Sequence, residues 1–208
     1  MSNAYQYLAL GDSLTVGVGS TRGGFVPPYR FMAEQALQRP VHVHKLAHSG
    51  FTTKELYRLA ETHRNAIAKA DIITITAGGN DFLQSFMAVS QTNSIEPAIQ
   101  ASERACACLH ALVAFVTDQK RGSKKPYIIR VFNTYNPFGS IPLLDQYLSK
   151  FNRSLYTLEQ NRHVKVVDVY RAFQGNEQRF LSRDGVHPNQ EGYDVMALLA
   201  AKTGFKPL

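Results

Sequence analysis

Four short stretches of this chain carry side chains that could act together on an acyl group. In "LALGDSLTVG", residues 8–17, an apolar run ends on Gly11-Asp12-Ser13. "LAHSGFTT", residues 46–53, holds Ser49-Gly50, and "ITAGGNDF", residues 75–82, holds Gly78-Gly79-Asn80. In "DGVHPNQEGY", residues 184–193, Asp184 stands three residues before His187. Acyl transfer needs a nucleophile, a base that titrates near neutrality, a group that orients the base, and donors for the oxyanion. Ser13 suits the nucleophile and His187 the base, and Asp184 is near enough to accept a hydrogen bond from the imidazole. The backbone N–H groups of Ser13 and Gly50 and the side-chain amide of Asn80 are the oxyanion candidates. At Gly50 no Cβ stands between the amide and a substrate. Taken singly, each stretch has a plainer reading: a strand-end turn for Gly-Asp-Ser, a tight turn for Gly-Gly-Asn, a helix start for His187-Pro188. Their joint occurrence carries the chemistry.

These residues must be positioned by the elements around them. Apolar and β-branched runs at 5–10, 41–47, 71–77, 127–132 and 164–169 read as five strands. Helical spacing over 26–38, 53–69, 95–120, 141–162 and 190–203 separates or follows them, with Thr52 or Thr53 as a cap for the second helix. Strands alternating with helices predict an α/β fold: a three-layer sandwich of five parallel strands with helices on both faces, flavodoxin-like. No repeat or linker interrupts the chain, so 1–208 reads as a single domain. In such sheets ligands bind beyond the carboxyl ends of the strands. Gly11-Asp12-Ser13, His48-Ser49-Gly50 and Gly78-Gly79-Asn80-Asp81 all follow strands directly.

Composition narrows the classes of function. Hydrophobic residues make up 44% and charged residues 19% of 208, ordinary values for a globular chain. Cys106 and Cys108, two apart in a helical pattern, point to different faces; they read as reduced thiols and offer no metal set. The two alternating imidazoles His42 and His44 share a strand face but lack a neighbouring carboxylate or thiol, so they read as packed or edge residues. A phosphate loop and a dinucleotide fingerprint both fail at the spacing of Gly17, Gly19, Gly23 and Gly24, which reads as a flexible turn beside Ser13. No cofactor and no metal are expected. The net charge of +7 could favour anionic partners such as phospholipid headgroups. Its tightest cluster, Lys120, Arg121, Lys124 and Lys125, reads as a solvated turn after a helix. Aromatic-interleaved basic patches that would suggest nucleic acid are absent from the sequence. No run reaches the ~18 apolar residues of a membrane span, and no signal peptide precedes the first strand. A cytoplasmic monomer is the expectation; were Ser2-Asn3-Ala4 a vector remnant, a removed leader would point to export.

With these blocks in place, the chain resembles the SGNH hydrolases, also called GDSL esterases/lipases. "LALGDSLTVG", "LAHSGFTT", "ITAGGNDF" and "DGVHPNQEGY" match the family's four blocks in order, and "TYNPF", residues 134–138, resembles a stretch after the fourth strand of bacterial members. The resemblance implies catalytic Ser13, Asp184 and His187, and an oxyanion hole of Ser13, Gly50 and Asn80. His48 departs from the small or apolar residue usual in the second block and has no assigned role. Asp12 is expected to fix its loop and Asp81 to cap the segment that follows it. The implied activity is ester hydrolysis through an acyl-serine intermediate, on acyl esters, lysophospholipids, thioesters or acetylated sugars. Two apolar stretches, "DFLQSFMAV" with Phe82 and Phe86 and "YNPFGSIPLL" with Tyr135 and Phe138, stand as an acyl-binding groove or as ordinary packing over the sheet edge. They tilt the substrate toward a small-molecule acyl ester or lipid. Carbohydrate O-acetyl ester hydrolysis, acyl transfer to another alcohol, and a non-catalytic binding domain on the same fold remain the alternatives.

Overall fold

The computed structural model describes residues 4–92, 96–123, 125–139 and 142–208, without the side chains of 86–92, 97–98 and 142–144. Five parallel strands form one sheet in the order β2-β1-β3-β4-β5: β1 (Tyr5–Gly11), β2 (Val41–Ala47), β3 (Ile72–Thr76), β4 (Ile128–Phe132) and β5 (Val164–Val167). The order reverses between β1 and β3, and ligands of doubly wound sheets sit at such a reversal. β-branched residues fill the central strands: every residue of β3 and of β4 is buried.

Helices cover both faces, making the expected three-layer α/β sandwich. Alternation along β1 sends Leu8 and Leu10 to one core and Tyr7 and Ala9 to the other. The first core lies under α3 (Thr53–Thr62), α4 (Arg64–Lys69), α6 (Glu96–Lys120) and α7 (Pro142–Leu155), through Leu56, Ile67, Leu109, Leu112 and Phe151. The second lies under α2 (Val26–Leu37), α8 (Val169–Phe173), α9 (Glu177–Phe180) and α10 (Gln190–Lys202), through Tyr29, Phe173, Phe180, Tyr193 and Met196. Residues 99–120 of α6 are long and apolar enough to match a membrane span, but Ala105, Leu109, Leu112 and Val116 recur at helical spacing and are buried in the first core.

The structure departs from the sequence expectations at several points. The helix expected over 53–69 breaks at His63, where the Thr62 hydroxyl donates to the Leu59 carbonyl at 2.8 Å and the His63 ring lies 2.9 Å from the same oxygen. Helix α5 (Gly79–Thr92) begins inside the glycine pair that reads as a turn. The fifth strand stops at Val167, because Asp168 caps α8 by accepting from the Arg171 N–H. The last turn before β5, Tyr156–Gln160, is 3₁₀ and not α.

Lys120 does not belong to a solvated cluster. It is 2% exposed, and its ammonium donates to the carbonyls of Ala68 and Ala70 at 2.7 and 2.6 Å. A cation at the carbonyl end of α4 is favourable there, although burial pushes the Lys120 pKa down. Lys124 lies outside the described residues. His42 and His44 are exposed on the edge strand β2. Cys106 and Cys108 are free thiols, and the Cys106 sulfur lies 3.0 Å from the Ser154 hydroxyl.

Candidate active site

β1 ends on a glycine because nothing larger fits. A Cβ on Gly11 would lie 2.2 Å from the Thr76 hydroxyl and 2.3 Å from that of Thr15. Those two hydroxyls are 2.8 Å apart, and Thr76 also donates to Asp12 Oδ1 at 2.8 Å. Asp12 Oδ1 in turn accepts from the Leu14 N–H at 3.0 Å, capping the single-turn helix α1 (Ser13–Val16). Ser13 is therefore the first residue of a helix fixed to the ends of two strands. Burial pushes the Asp12 carboxyl up, against the opposing hydrogen bonds from Thr76 and Leu14.

The other end of the chain meets this point. His187 Nε2 lies 2.9 Å from Ser13 Oγ, and His187 Nδ1 lies 2.7 Å from Asp184 Oδ2. Asp184 Oδ1 accepts three further hydrogen bonds: from the Ser182 hydroxyl at 2.8 Å and from the N–H groups of Val186 and His187 at 2.9 Å each. Burial works against ionisation of this carboxyl, but the backbone N–H of Val186, the His187 ring and the remaining donors outweigh it. They hold Asp184 well below the usual carboxylate range. An ionised Asp184 can only accept, so Nδ1 carries the imidazole proton. In the neutral ring this leaves Nε2 as an acceptor for the Ser13 hydroxyl.

Asn80 sits in the first turn of α5, beyond β3. Its amide donates to the Phe51 carbonyl at 2.8 Å, which ties it to the loop that carries Gly50 and leaves one N–H of the amide for another acceptor. Gly50 has φ +87°, which is what requires glycine there; among the described residues, none beyond its two chain neighbours comes within 4 Å of where its Cβ would stand. Among the described residues, the N–H groups of Ser13 and Gly50 have no acceptor. Ser13 and Asn80 line the cavity described next; Gly50 is exposed and lies outside its lining. His48 is exposed, stacked on Phe51 at 4.6 Å. The two oxygens of Asp81 take the N–H and hydroxyl of Thr53 at 2.9 Å, so it also holds the start of α3.

A cavity lined by Ser13 and His187 extends over the ends of β3 and β4; about 60 Å³ of it is open to the centre of a water-sized sphere. Its walls include the expected Phe82, Tyr135 and Phe138, together with Leu83, Phe132 and Leu148. Phe82 is 3% exposed and packs edge-on against Phe151. Phe138 is half-buried. The Phe86 side chain lies outside the described residues. Tyr135 does more than form a wall: its hydroxyl donates to the Val186 carbonyl at 2.7 Å, and its ring stacks on Phe173. It props the His187 loop from beneath. Phe132 and Leu148 escape the sequence reading, because the end of a strand and the middle of a helix carry no local motif. Among the described residues no group of histidine, cysteine and carboxylate side chains could hold a metal ion.

A serine, a histidine and a carboxylate in hydrogen-bonding sequence at the strand ends of a doubly wound sheet have the geometry of a serine hydrolase site. The model of the GDSL-like lipase/acylhydrolase family matches residues 9–195, and the chain belongs to that family. It is 37% identical over 204 residues to the spore germination lipase LipC of Bacillus licheniformis, covering 96% of each chain. Among solved structures it is similar to the lipase Lip_vut3 from a goat rumen metagenome, with a TM-score of 0.93, 37% identity and coverage of 98% of this chain and 99% of that one. Axe2, an acetylxylan esterase of Geobacillus stearothermophilus, shares the fold at a TM-score of 0.70 and 19% identity, with coverage of 97% and 95%. Membership makes this protein an enzyme that hydrolyses ester bonds.

Proposed function

We propose that the protein hydrolyses carboxylic esters of apolar acyl groups through an acyl-Ser13 intermediate. The observation that carries this reading is the chain of contacts from Asp184 through His187 to Ser13, set at the mouth of an apolar cavity. Ser13 Oγ attacks the ester carbonyl carbon while its proton passes to His187 Nε2. The carbonyl oxygen becomes an oxyanion facing the Ser13 and Gly50 N–H groups and the Asn80 amide. Collapse breaks the bond to the alcohol, which leaves with the proton from His187. Water then attacks the acyl-serine, gives its proton to His187, and the acid departs as Ser13 regains the proton. Asp184 stabilises the imidazolium that forms in both steps.

The acyl group occupies the cavity between Phe82, Phe132, Phe138 and Leu148. Such walls favour hydrocarbon over the acetyl group of a sugar, consistent with two lipases among the relatives. The test is a panel of p-nitrophenyl esters of two to twelve carbons together with an acetylated xylooligosaccharide. Higher kcat/KM on the longer acyl esters than on the acetylated sugar supports the reading. The reverse order would make the protein a carbohydrate deacetylase.

A further inference from the structure

The reading of Ser13 and His187 as nucleophile and base raises a geometric problem. They lie 174 residues apart. Ser13 is fixed to the sheet, but His187 sits on a loop that leads into α10. Something must set the reach between them.

Directly after α1 the chain turns back at Gly17, whose φ of +95° ends the helix. The next residues run along the start of α10 and bind it repeatedly. The Tyr193 hydroxyl donates to the Val18 carbonyl at 2.7 Å. The Ser20 hydroxyl donates to Gln190 Oε1 at 2.5 Å, and the Arg22 N–H donates to the same oxygen at 3.0 Å. Ser20 Oγ also accepts from the N–H groups of Arg22 and Gly24, at 2.9 Å each, which holds the loop in shape. Gln190 Nε2 donates to Asp194 Oδ1 at 2.9 Å, so the amide presents its oxygen to the loop, and Arg22 pairs with the other oxygen of Asp194 at 2.6 Å. Gly19 packs directly on the histidine loop. A Cβ there would stand 2.7 Å from the Pro188 carbonyl, 3.0 Å from Ser182 Oγ and 3.2 Å from His187 Cβ. A glycine-rich stretch that reads as a flexible turn is thus tied down at both of its faces.

We propose that residues 17–24 are a clasp that sets the distance between His187 Nε2 and Ser13 Oγ, with Gln190 and Tyr193 as its positioning residues. Neither touches the reacting atoms. Both act through the loop that follows the serine helix and packs on the histidine loop. A displacement near 1 Å at a catalytic group costs up to about 10²-fold in rate, so loosening the clasp lowers turnover more than it lowers binding.

The test compares Gln190→Ala, Tyr193→Phe and Ser20→Ala with wild type and with Ser13→Ala. Melting temperature, kcat and KM on a short p-nitrophenyl ester, and the rate of inactivation by a fluorophosphonate are measured well below each melting point. The proposal expects kcat and the inactivation rate to fall together by on the order of tenfold, with KM within about twofold of wild type. Folded variants with unchanged kcat, or with the whole loss in KM, would overturn it and leave Gln190 and Tyr193 as braces of α10. If either helix variant does not fold, Ser20→Ala on the loop decides by the same criteria. Retained activity in Ser13→Ala would instead overturn the underlying reading of the site.

Discussion

Asp184 uses both carboxylate oxygens on its own loop, one on the His187 ring and one on the N–H groups of Val186 and His187. The three-residue spacing lets one turn of chain fix both the ring and its tautomer. That is why the pair is legible in the sequence: the chemistry and the local backbone geometry select the same spacing. Replacing Asp184 by Asn lowers kcat by up to about 10⁴-fold, the size of the effect when a triad carboxylate is neutralised. The same variant has a signature in stability. The folded state holds the Asp184 pKa below its ordinary 3.8, so its contribution is present above that value and is lost as pH falls toward the folded one. The melting-temperature gap between wild type and Asp184→Asn therefore narrows as the pH falls from about 4 to about 2, where the His187 ring is protonated in both states; a gap that widens over that range contradicts the assignment. Asn80→Ala costs about 10²–10³ in kcat with little change in KM. The loss falls toward the upper end, because the Phe51 carbonyl also loses its donor and the Gly50 loop its tie. A loss confined to KM would make Asn80 a substrate-binding residue. The second duty of Tyr135 and the distant partner of Asp81 are not legible in the sequence. Each bonds an atom far away in the chain, Val186 O for the first and Thr53 for the second.

At the scale of elements, the junction of β1, α1 and β3 is the part that cannot be loosened. Gly11, Thr15 and Thr76 meet there, all of them buried. Gly11→Ala forces a methyl against two threonine hydroxyls and destabilises the fold by about 1–3 kcal/mol or more. Thermal or urea unfolding measures it, and a melting temperature within one degree of wild type would show that the junction yields. Lys120 makes a parallel case on α6. A charge at a helix end next to other charges reads as solvated, and only the packing of α6 against α4 reveals that its ammonium satisfies two carbonyls. The strands were legible because β-branched runs such as "IITIT" have one structural outcome. The start of α5 was not, because Gly78-Gly79 carries a turn signal and the helix that follows is set by tertiary packing. The break at His63 was not either, since helical spacing continues across it.

At the scale of the molecule, the sheet order places the ends of β1, β3 and β4 side by side, so that Ser13, Asn80 and the walls of the cavity face one another. Ser13 stands near one end of the chain and His187 near the other, and the fold must close before either has its partner. The four blocks made this rim legible as a set of strand ends, but not the depth of the cavity beneath it, which depends on the packing of α5 and α7. Leu148, 1% exposed, lines that cavity from α7. Leu148→Ala lengthens the space for the acyl chain. The ratio of kcat/KM for a longer ester to that for a shorter one rises by on the order of tenfold, at a stability cost of about 2–5 kcal/mol. A ratio that stays at its wild-type value would place the acyl chain elsewhere.

The proposed mechanism requires that Ser13 carry the acyl group between the two halves of the reaction. Intact-protein mass spectrometry of enzyme mixed with an activated long-chain ester and quenched in acid tests this most directly. The expected result is a mass increase equal to the acyl group less one hydrogen, mapped to the peptide containing Ser13 and absent in Ser13→Ala. Ester turnover by the wild type with no adduct on Ser13, and equal turnover by Ser13→Ala, would contradict it.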